Sequence, residues 1–258
     1  ISIDNIYFVA SSNSAGSTLK FGDKEIKVEN LENFDFSKVN ISFFSAGKAI
    51  SEKYVPLAAK HSVVIDNSSF FRMDPDVPLI VPQVNKDHLK NIKKNIIANP
   101  NCSTAQLVIV LKSLNDNFKI KRIVISTYQS TSGAGKKPMD ELIDQTKSIL
   151  NNKSFEVKNF TKQIAFNAIP HIDSFSDDGY TKEELKMIKE TNKILGTKID
   201  ITATCVRIPV LVSHAESVNI EFENDFSIKK VKELLNTAEG CKVVDENSDG
   251  GYITPVDA

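Results

Sequence analysis

Short apolar runs separated by loops of small polar residues fill the first hundred positions. We predict buried strands where these runs fall, at residues 5–10, 41–44, 63–65, 80–82 and 96–98. Residues 19–28, with Gly22-Asp23 at the centre, fit a β-hairpin. A helix over 50–60 lies between two strands, although Pro56 argues against its continuity. Strand, helix and strand at this spacing predict a parallel α/β sheet, whose ligands bind at the carboxyl ends of its strands.

Longer strand and helix patterns follow in the rest of the chain. We predict strands over 120–130, 201–208 and 216–222, and helices over 137–151, between Thr181 and Gly196, and over 227–238. Thr181 caps the second helix with Glu184 at the capping-box position, and Gly196 ends it. We expect its inner face to be formed by apolar residues and one amide, namely Leu185, Ile188, Asn192 and Leu195. The charged residues Glu183, Lys186 and Glu190 then share a solvated face. Residues 152–178 lack periodicity and are interpreted as a long loop.

The segment Asn99 to Thr104, followed by the apolar run 105–111, is interpreted as a turn that begins a buried helix. Pro100 excludes Asn99 from the helical region. Ser103 and Thr104 lie where free backbone N–H groups need partners. Cys102 is therefore in the first turn, at the positive end of the helix dipole, which favours a thiolate. We predict Cys102 as a nucleophile, and an unreactive buried cysteine is the alternative.

Composition narrows the class of protein. The 258 residues are enough for one large or two ordinary domains, and 41% apolar with 25% charged residues is typical of a globular chain. A net charge of -1 attracts neither nucleic acid nor an anionic membrane, and no apolar run reaches the roughly 20 residues of a membrane span. Three cysteines, an odd number, favour a reducing compartment. We expect a cytoplasmic protein without nucleic-acid, membrane or metal partners.

Small-residue loops and two isolated polar side chains are the other candidates for chemistry. The loops follow strands at 11–16, 45–47 and 132–135, where backbone N–H groups can approach a phosphate; for 11–16 an ordinary turn is the alternative that the spacing alone favours. Arg72 is a possible anion clamp, and a surface arginine is the alternative. His214 lies just before the strand predicted at 216–222, on the side that would be buried, and has a possible partner in Cys102; a core histidine without catalytic function is the alternative.

Strings of residues along nearly the whole chain occur in the order found in one known family. They are Ala10-Ser11-Ser12 with Ser14-Ala15-Gly16, Phe44-Ser45-Ala46-Gly47, Asp66-Asn67-Ser68-Ser69 with Phe71-Arg72-Met73-Asp74, Asn99 to Thr104, Tyr128-Gln129-Ser130 with Ser132 to Gly135, Phe166-Asn167-Ala168-Ile169-Pro170-His171, Cys205-Val206-Arg207-Ile208-Pro209-Val210 and Thr254-Pro255-Val256-Asp257. No single string identifies the family, but the number of strings and their order together do. With these strings the sequence resembles the aspartate-semialdehyde dehydrogenases of the bacterial type.

The resemblance implies a reaction, the NADPH-dependent reductive dephosphorylation of L-aspartyl-4-phosphate to L-aspartate-4-semialdehyde. This step serves lysine (diaminopimelate), threonine and methionine biosynthesis. It implies Cys102 as the nucleophile that forms a thioester, His214 as acid/base and Gln129 as the residue that orients the acyl group. It assigns substrate binding to Arg207 (carboxylate), Glu183 (amine) and Arg72, Asn101 and Lys186 (phosphate). It assigns NADP(H) binding to Ser11, Ser14, Ser45, Gly47, Ser132, Gly133 and Gly135.

The same resemblance implies the fold and the assembly. We expect an α/β chain with a truncated Rossmann-like dinucleotide-binding domain over 1–100. An α+β catalytic and dimerisation domain of the glyceraldehyde-3-phosphate-dehydrogenase-like type is expected over 101–258. A homodimer or homotetramer is expected.

The sequence also departs from the family pattern. The family carries a glycine-rich turn (G-x-x-G-x-x-G) for the cofactor pyrophosphate before the region that matches residue 1, and a cofactor-contacting segment after the region that matches residue 258. Neither is among these 258 residues, so we expect a truncated chain with complete catalytic residues. Asn13 stands where a basic residue usually meets the 2′-phosphate of NADP, which weakens that preference by about 1–2 kcal/mol.

Three alternatives stay open from the sequence. One is a remnant that keeps the dimerisation and substrate-binding domain but cannot hold cofactor. The second is an N-acetylglutamyl-phosphate reductase, which shares the chemistry. The third is a Cys–His hydrolase, which the sequence disfavours because no residue is seen to orient His214.

Overall fold

The computed structural model describes residues 3–258, which form nine strands and six α-helices. The strands are β1 Phe8–Ala10, β2 Thr18–Phe21, β3 Lys24–Asn30, β4 Ile41–Phe44, β5 Val63–Asp66, β6 Ile96–Ala98, β7 Ile120–Gln129, β8 Asp200–Arg207 and β9 His214–Phe222. The helices are α1 Lys48–Ala58, α2 Pro82–Asn85, α3 Cys102–Phe118, α4 Lys136–Leu150, α5 Lys182–Leu195 and α6 Ile228–Thr237. No helix within residues 3–258 combines the length and apolar character needed to cross a membrane.

A parallel α/β unit occupies the first part of the chain, as predicted. Strands β4, β5 and β6 pair in that order and all run parallel, and α1 connects the first two. Helix α1 continues past Pro56 because Val55 and Ala58, both fully buried, anchor its last turn in the apolar core. Strands β2 and β3 form the predicted hairpin, while β1 lies parallel to β3 on its other side.

The strand predicted at residues 80–82 is wrong. Leu79 makes only an isolated bridge with Ala98, and Pro82 begins helix α2. Proline suits the first position of a helix, since that N–H has no partner there. The Asn85 side chain accepts from the Val81 N–H at 2.9 Å, which stabilises the helical turn in place of a strand.

A three-stranded sheet in the order β8-β7-β9 organises the second part of the chain. Strand β7 is central, parallel to β8 and antiparallel to β9. Gln129, the last residue of β7, lies opposite Arg207 on one side and His214 on the other. The register therefore places three of the predicted site residues in one row at the end of the sheet.

Helix α5 follows its predicted ends but buries a wider face than predicted. Thr181 and Glu184 form the capping box, and Gly196 ends the helix in the left-handed conformation. The predicted inner face is only part of the buried surface: Ile188 and Leu195 are half-buried and pack against the core, whereas the buried residues are Glu183, Glu184, Met187, Glu190, Thr191 and Ile194. Buried carboxylates are tolerated where hydrogen-bond donors satisfy them, and such donors surround this helix.

Candidate active site

Cys102 is the first residue of α3, in the helical turn where it is predicted. Asn101 caps this helix, since its side-chain oxygen accepts from the Ser103 N–H at 3.0 Å and from the Thr104 N–H at 3.3 Å. The sequence requires a partner for the Ser103 and Thr104 N–H groups, and that partner is therefore the side chain of Asn101, the residue before the cysteine. Cys102 itself stays exposed, with its thiol accessible to a ligand.

His214 faces the cysteine directly. Its Nε2 lies 3.3 Å from the Cys102 Sγ, although the two residues are 112 positions apart. The Ser130 N–H donates to the His214 Nδ1 at 3.1 Å, and the Ser130 hydroxyl lies at the same distance from it. A backbone N–H can only donate, so Nδ1 accepts and the proton of the neutral imidazole is on Nε2, facing the sulfur. Sequence reasoning found no residue that orients His214, because Ser130 does so through its backbone.

The free site holds a thiol rather than the predicted thiolate. Cys102 is exposed, but the surrounding walls of the site remove part of the hydration of its sulfur, and this desolvation raises the pKa of the thiol. The negative charge of Glu183 raises the pKa further, against stabilisation by Ser103 and the first-turn N–H groups. Burial also lowers the pKa of His214, and the positive charge of Arg207 adds to this. A helix dipole contributes about 0.3–1 kcal/mol near the surface, which does not offset this loss of hydration.

Arg207 and Gln129 complete the row with His214, and both are buried. The Arg207 Nη1 donates to the Ser130 carbonyl at 2.6 Å, and the Gln129 Nε2 donates to the Thr127 hydroxyl at 3.2 Å. A Cβ added at Gly133 would lie 3.2 Å from the His214 Nε2 and 3.3 Å from the Arg207 Nη1. The absent side chain at Gly133 thus leaves room over the imidazole and the guanidinium.

Glu183 connects the cysteine turn to the sheet. Its carboxylate accepts from the Asn101 Nδ2 at 2.8 Å, from the Gln129 Nε2 at 3.3 Å and from the Lys186 Nζ at 3.0 Å. Burial alone would raise its pKa, but Lys186 and the hydrogen bonds outweigh burial, so the pKa of Glu183 is lowered. Lys186 also pairs with Asp173 at 2.9 Å. The predicted solvated face is therefore wrong for this buried carboxylate.

Arg72 is buried and paired, not a surface arginine. Its Nη1 donates to the Glu190 Oε1 at 3.1 Å, and its Nη2 donates to the Asn67 carbonyl at 2.9 Å. The other Glu190 oxygen accepts from the Asn101 N–H at 2.7 Å. Glu190 was not predicted as a site residue; its position seven residues after Glu183, two helical turns on, was the available signal.

The predicted cofactor loops lie in three places. The first meets the carboxyl ends of the parallel strands, where the Asn67 side chain donates to the Ser45 hydroxyl at 3.3 Å and accepts from the Asn99 Nδ2 at 2.7 Å. Ser132 joins the catalytic cluster through its hydroxyl, 3.0 Å from that of Ser130. Ser11 and Ser14 form a separate exposed turn after β1, in which the Ser14 N–H donates to the Ser11 carbonyl at 3.0 Å.

Two glycines in this region begin helices without a side-chain cap. Gly47 precedes α1 with a φ of 90°, and Gly135 precedes α4 with a φ of 103°. An added Cβ at either glycine would meet no atom within 4 Å, so each helix start is open. Free first-turn N–H groups at such positions can bind phosphate or carboxamide oxygens.

Comparison with known proteins identifies the family of both parts of the chain. Residues 1–92 match the family model described as "Semialdehyde dehydrogenase, NAD binding domain", and residues 111–258 match "Semialdehyde dehydrogenase, dimerisation domain". The aspartate-semialdehyde dehydrogenase of Rickettsia bellii is 49% identical over 99% of this chain. The chain spans 76% of that relative's length.

Solved structures agree with the sequence matches. Aspartate semialdehyde dehydrogenase II of Vibrio cholerae, complexed with ASA, superposes with a TM-score of 0.90 at 47% identity, covering 92% of this chain and 72% of that one. The Candida albicans enzyme, solved with NADP, gives a TM-score of 0.65 at 26% identity, covering 90% of this chain and 69% of that one. The expected Rossmann-like domain and dimerisation domain are thereby confirmed.

Proposed function

Because this chain belongs to the aspartate-semialdehyde dehydrogenase family, we propose that it reduces L-aspartyl-4-phosphate to L-aspartate-4-semialdehyde and phosphate with NADPH. The contact of the Cys102 Sγ with the His214 Nε2, at 3.3 Å, is the observation that carries the proposal. This contact pairs a nucleophile, the Cys102 sulfur, with a hydrogen-bond donor, the His214 N–H, at the open end of the sheet. The remnant and the N-acetylglutamyl-phosphate reductase have no comparable support, since the close relatives named above are aspartate-semialdehyde dehydrogenases.

In the proposed first half-reaction, Cys102 forms an acyl bond with the substrate. The accessible thiol loses its proton to water, and the His214 Nε2–H donates to the resulting thiolate. The sulfur attacks the acyl carbon, the bond from that carbon to the phosphate oxygen breaks, and inorganic phosphate leaves. Arg72 and Lys186 supply the positive charge for that leaving group.

In the second half-reaction the thioester becomes an aldehyde. NADPH held beside Cys102 would supply the hydride that the acyl carbon needs. The oxyanion of the thiohemiacetal that forms on Cys102 accepts a hydrogen bond from the His214 Nε2–H. It collapses to the aldehyde as the carbon–sulfur bond breaks, and the leaving thiolate accepts a hydrogen bond from the same N–H. Ser130 keeps Nδ1 engaged as an acceptor throughout, so that the N–H that donates to the reacting atoms is the one on Nε2.

The substrate groups meet side chains of opposite charge in this proposal. Arg207 grips the α-carboxylate with a planar fork that lysine lacks. Glu183, ionised because its pKa is lowered, meets the α-amine. Gln129 orients the acyl group. The side-chain oxygen of Asn101 caps α3 and its amide nitrogen donates to Glu183, so Asn101 contributes to the phosphate site mainly by the position that these contacts fix.

The residues present fit the nicotinamide end of NADP(H). Ser45 and the open helix start at Gly47 lie at the carboxyl ends of the parallel strands, while Ser132, the space left by Gly133 and the open helix start at Gly135 lie beside His214. In this proposal the two loops hold the nicotinamide end together. Ser11 and Ser14 are assigned to the adenosine end. Asn13, exposed in the same turn, leaves NADP with only a weak advantage over NAD in this proposal. Titration of intrinsic NADPH and NADH fluorescence measures this preference, and no saturation at millimolar cofactor favours a non-catalytic remnant.

We also propose a domain boundary near residue 100 and a homo-oligomer, either dimer or tetramer. The matched segments 1–92 and 111–258 flank that boundary, and the second is a dimerisation domain. Helices α3 and α5 pack on one face of the β8-β7-β9 sheet, while Tyr128 of β7 is 40% exposed. Light scattering after size-exclusion chromatography tests the assembly. A cytoplasmic location stays a prediction.

Turnover tests the function itself. Oxidation of NADPH should depend on aspartyl phosphate and release aldehyde and phosphate in equal amounts. Consumption of aspartyl phosphate without NADPH oxidation, with repeated acylation and hydrolysis at Cys102, would instead establish a Cys–His hydrolase.

A further inference from the structure

One carboxylate, that of Glu190, joins two groups that are far apart in the sequence. Its Oε1 accepts from Arg72, 118 residues away, and its Oε2 accepts from the Asn101 N–H, 89 residues away. Glu190 is 2% exposed and makes no approach to solvent. The first partner is the proposed phosphate ligand, and the second begins the turn that carries Cys102.

A second residue of the same helix fixes the loop that carries Arg72. Lys193, one turn beyond Glu190, donates to the carbonyls of Arg72, Asp74 and Val77 at 2.6, 2.7 and 2.9 Å. The backbone of Arg72 is therefore held by Lys193, and its guanidinium by Glu190. Helix α5 thus fixes both the backbone and the guanidinium of Arg72.

Arg72 retains donors for a ligand despite these contacts. Each of its η nitrogens uses one N–H, toward Glu190 and toward the Asn67 carbonyl. Its Nε is buried and has no hydrogen-bond partner within residues 3–258. A guanidinium has five N–H donors, so three remain for an anion while Glu190 holds the plane of the group.

We propose that Glu190 is the positioning residue of the phosphate site, because one carboxylate fixes both the Arg72 guanidinium and the backbone turn of Cys102. The separation between the leaving phosphate and the attacking sulfur then depends on Glu190, which touches neither. This inference rests on the proposed function, in which Arg72 binds the substrate phosphate.

Glu190→Gln separates the two roles of the carboxylate. The amide oxygen still accepts from the Asn101 N–H. The amide NH2 group, however, faces the N–H of Arg72, and because two donors cannot form a hydrogen bond, the variant no longer orients the guanidinium. Thr191→Val is the matched control, since Thr191 is fully buried in the same helical turn and its hydroxyl has no partner within residues 3–258. Any effect of disturbed packing alone appears in both variants.

Alkylation of Cys102 by iodoacetamide reports phosphate binding without cofactor or turnover. Peptide mapping separates Cys102 from Cys205, which is buried, and from Cys241. Inorganic phosphate should slow alkylation saturably, with the same Kd in the original chain and in Thr191→Val. In Glu190→Gln the Kd should rise about tenfold or more, while the rate without phosphate stays within about threefold.

A double-variant comparison tests that the effect passes through Arg72. In an Arg72→Lys background, which already lacks the planar fork, Glu190→Gln should add little to the phosphate Kd. Equal, additive effects of Glu190→Gln in both backgrounds would overturn the positioning role, since a purely structural effect does not depend on the side chain at position 72.

The outcomes separate this inference from the proposed function. An unchanged phosphate Kd in Glu190→Gln overturns the inference and leaves the phosphate site intact. The absence of any saturable effect of phosphate in the original chain overturns both. If circular dichroism shows that Glu190→Gln is unfolded, Glu190→Asp replaces it: the shorter carboxylate cannot reach both partners, and an unchanged Kd there is equally decisive.

Discussion

A methyl group added at Gly133 should disturb the contact between Cys102 and His214. The new Cβ of Gly133→Ala would lie 3.2 Å from the His214 Nε2, 3.3 Å from its Cε1 and 3.3 Å from the Arg207 Nη1. Comfortable contacts between such atoms are about 3.5–4.0 Å, so the imidazole and the guanidinium must each move by about 0.3–0.5 Å. Gly133 is exposed, so the cost in the free energy of unfolding should be about 1 kcal/mol or less.

That displacement acts on the contact between the imidazole and the thiol. The Cys102 Sγ and the His214 Nε2 are 3.3 Å apart, and the Nε2–H is the donor that stabilises the thiolate. A hydrogen bond to a charged group contributes about 1.5–3 kcal/mol, and 1.4 kcal/mol corresponds to a factor of ten. Weakening this hydrogen bond should therefore slow alkylation of Cys102 at pH 7 by about tenfold and slow turnover by a similar factor.

The assay is the rate of Cys102 alkylation by iodoacetamide between pH 6 and pH 11, with thermal unfolding measured alongside. Ala134→Ser is the control, since Ala134 is the exposed neighbour in the same turn. Its rate profile should match that of the original chain. A Gly133→Ala profile that matches as well would refute the reasoning, because the imidazole would then not govern the reactivity of the thiol.

Three further predictions follow from the same geometry. Cys102→Ser should abolish turnover with an unchanged far-UV circular dichroism spectrum, since the volume change is small; retained activity would remove Cys102 from the mechanism. Arg207→Lys should raise the KM for aspartyl phosphate at least about tenfold and leave the KM for NADPH within about twofold, because lysine cannot pair bidentately with a carboxylate; equal changes in both constants would contradict that role. Burial raises the pKa of Glu216 from 4.5 to about 8, so the folded protein keeps a proton there that the unfolded chain has lost. The free energy of unfolding in urea should therefore fall by about 3–5 kcal/mol as pH rises from 4.5 to 8, and Glu216→Gln should flatten this slope; an identical slope in the variant would exclude Glu216 as its origin.

The sequence was sufficient where the signal is local. The capping box of Thr181 and Glu184, the left-handed Gly196 and the helix that begins at Cys102 each depend on residues within one or two turns. The parallel strands and the hairpin at Gly22 follow from short-range patterns as well. The prediction of a strand at residues 80–82 failed because Pro82 suits the first position of a helix and the Asn85 side chain stabilises the helical turn there.

The sequence was insufficient where distant partners decide burial. Polar residues on one side of α5 resemble a solvated face until the donors from Arg72, Asn101 and Gln129 are known. The orientation of His214 by Ser130 uses a backbone N–H, which every residue except proline has. The thiolate prediction failed because the helix dipole was visible in the sequence, whereas the partial desolvation of the sulfur and the charge of Glu183 beside it were not.

Covalent capture of the acyl group tests the central claim most directly. The chain is mixed with L-aspartyl-4-phosphate in the absence of any reductant, quenched in acid and examined by peptide mass spectrometry. The account predicts one equivalent of phosphate released and one aspartyl group in thioester linkage to Cys102, next to His214. Phosphate release without a label on Cys102, or a label on another residue, would contradict it.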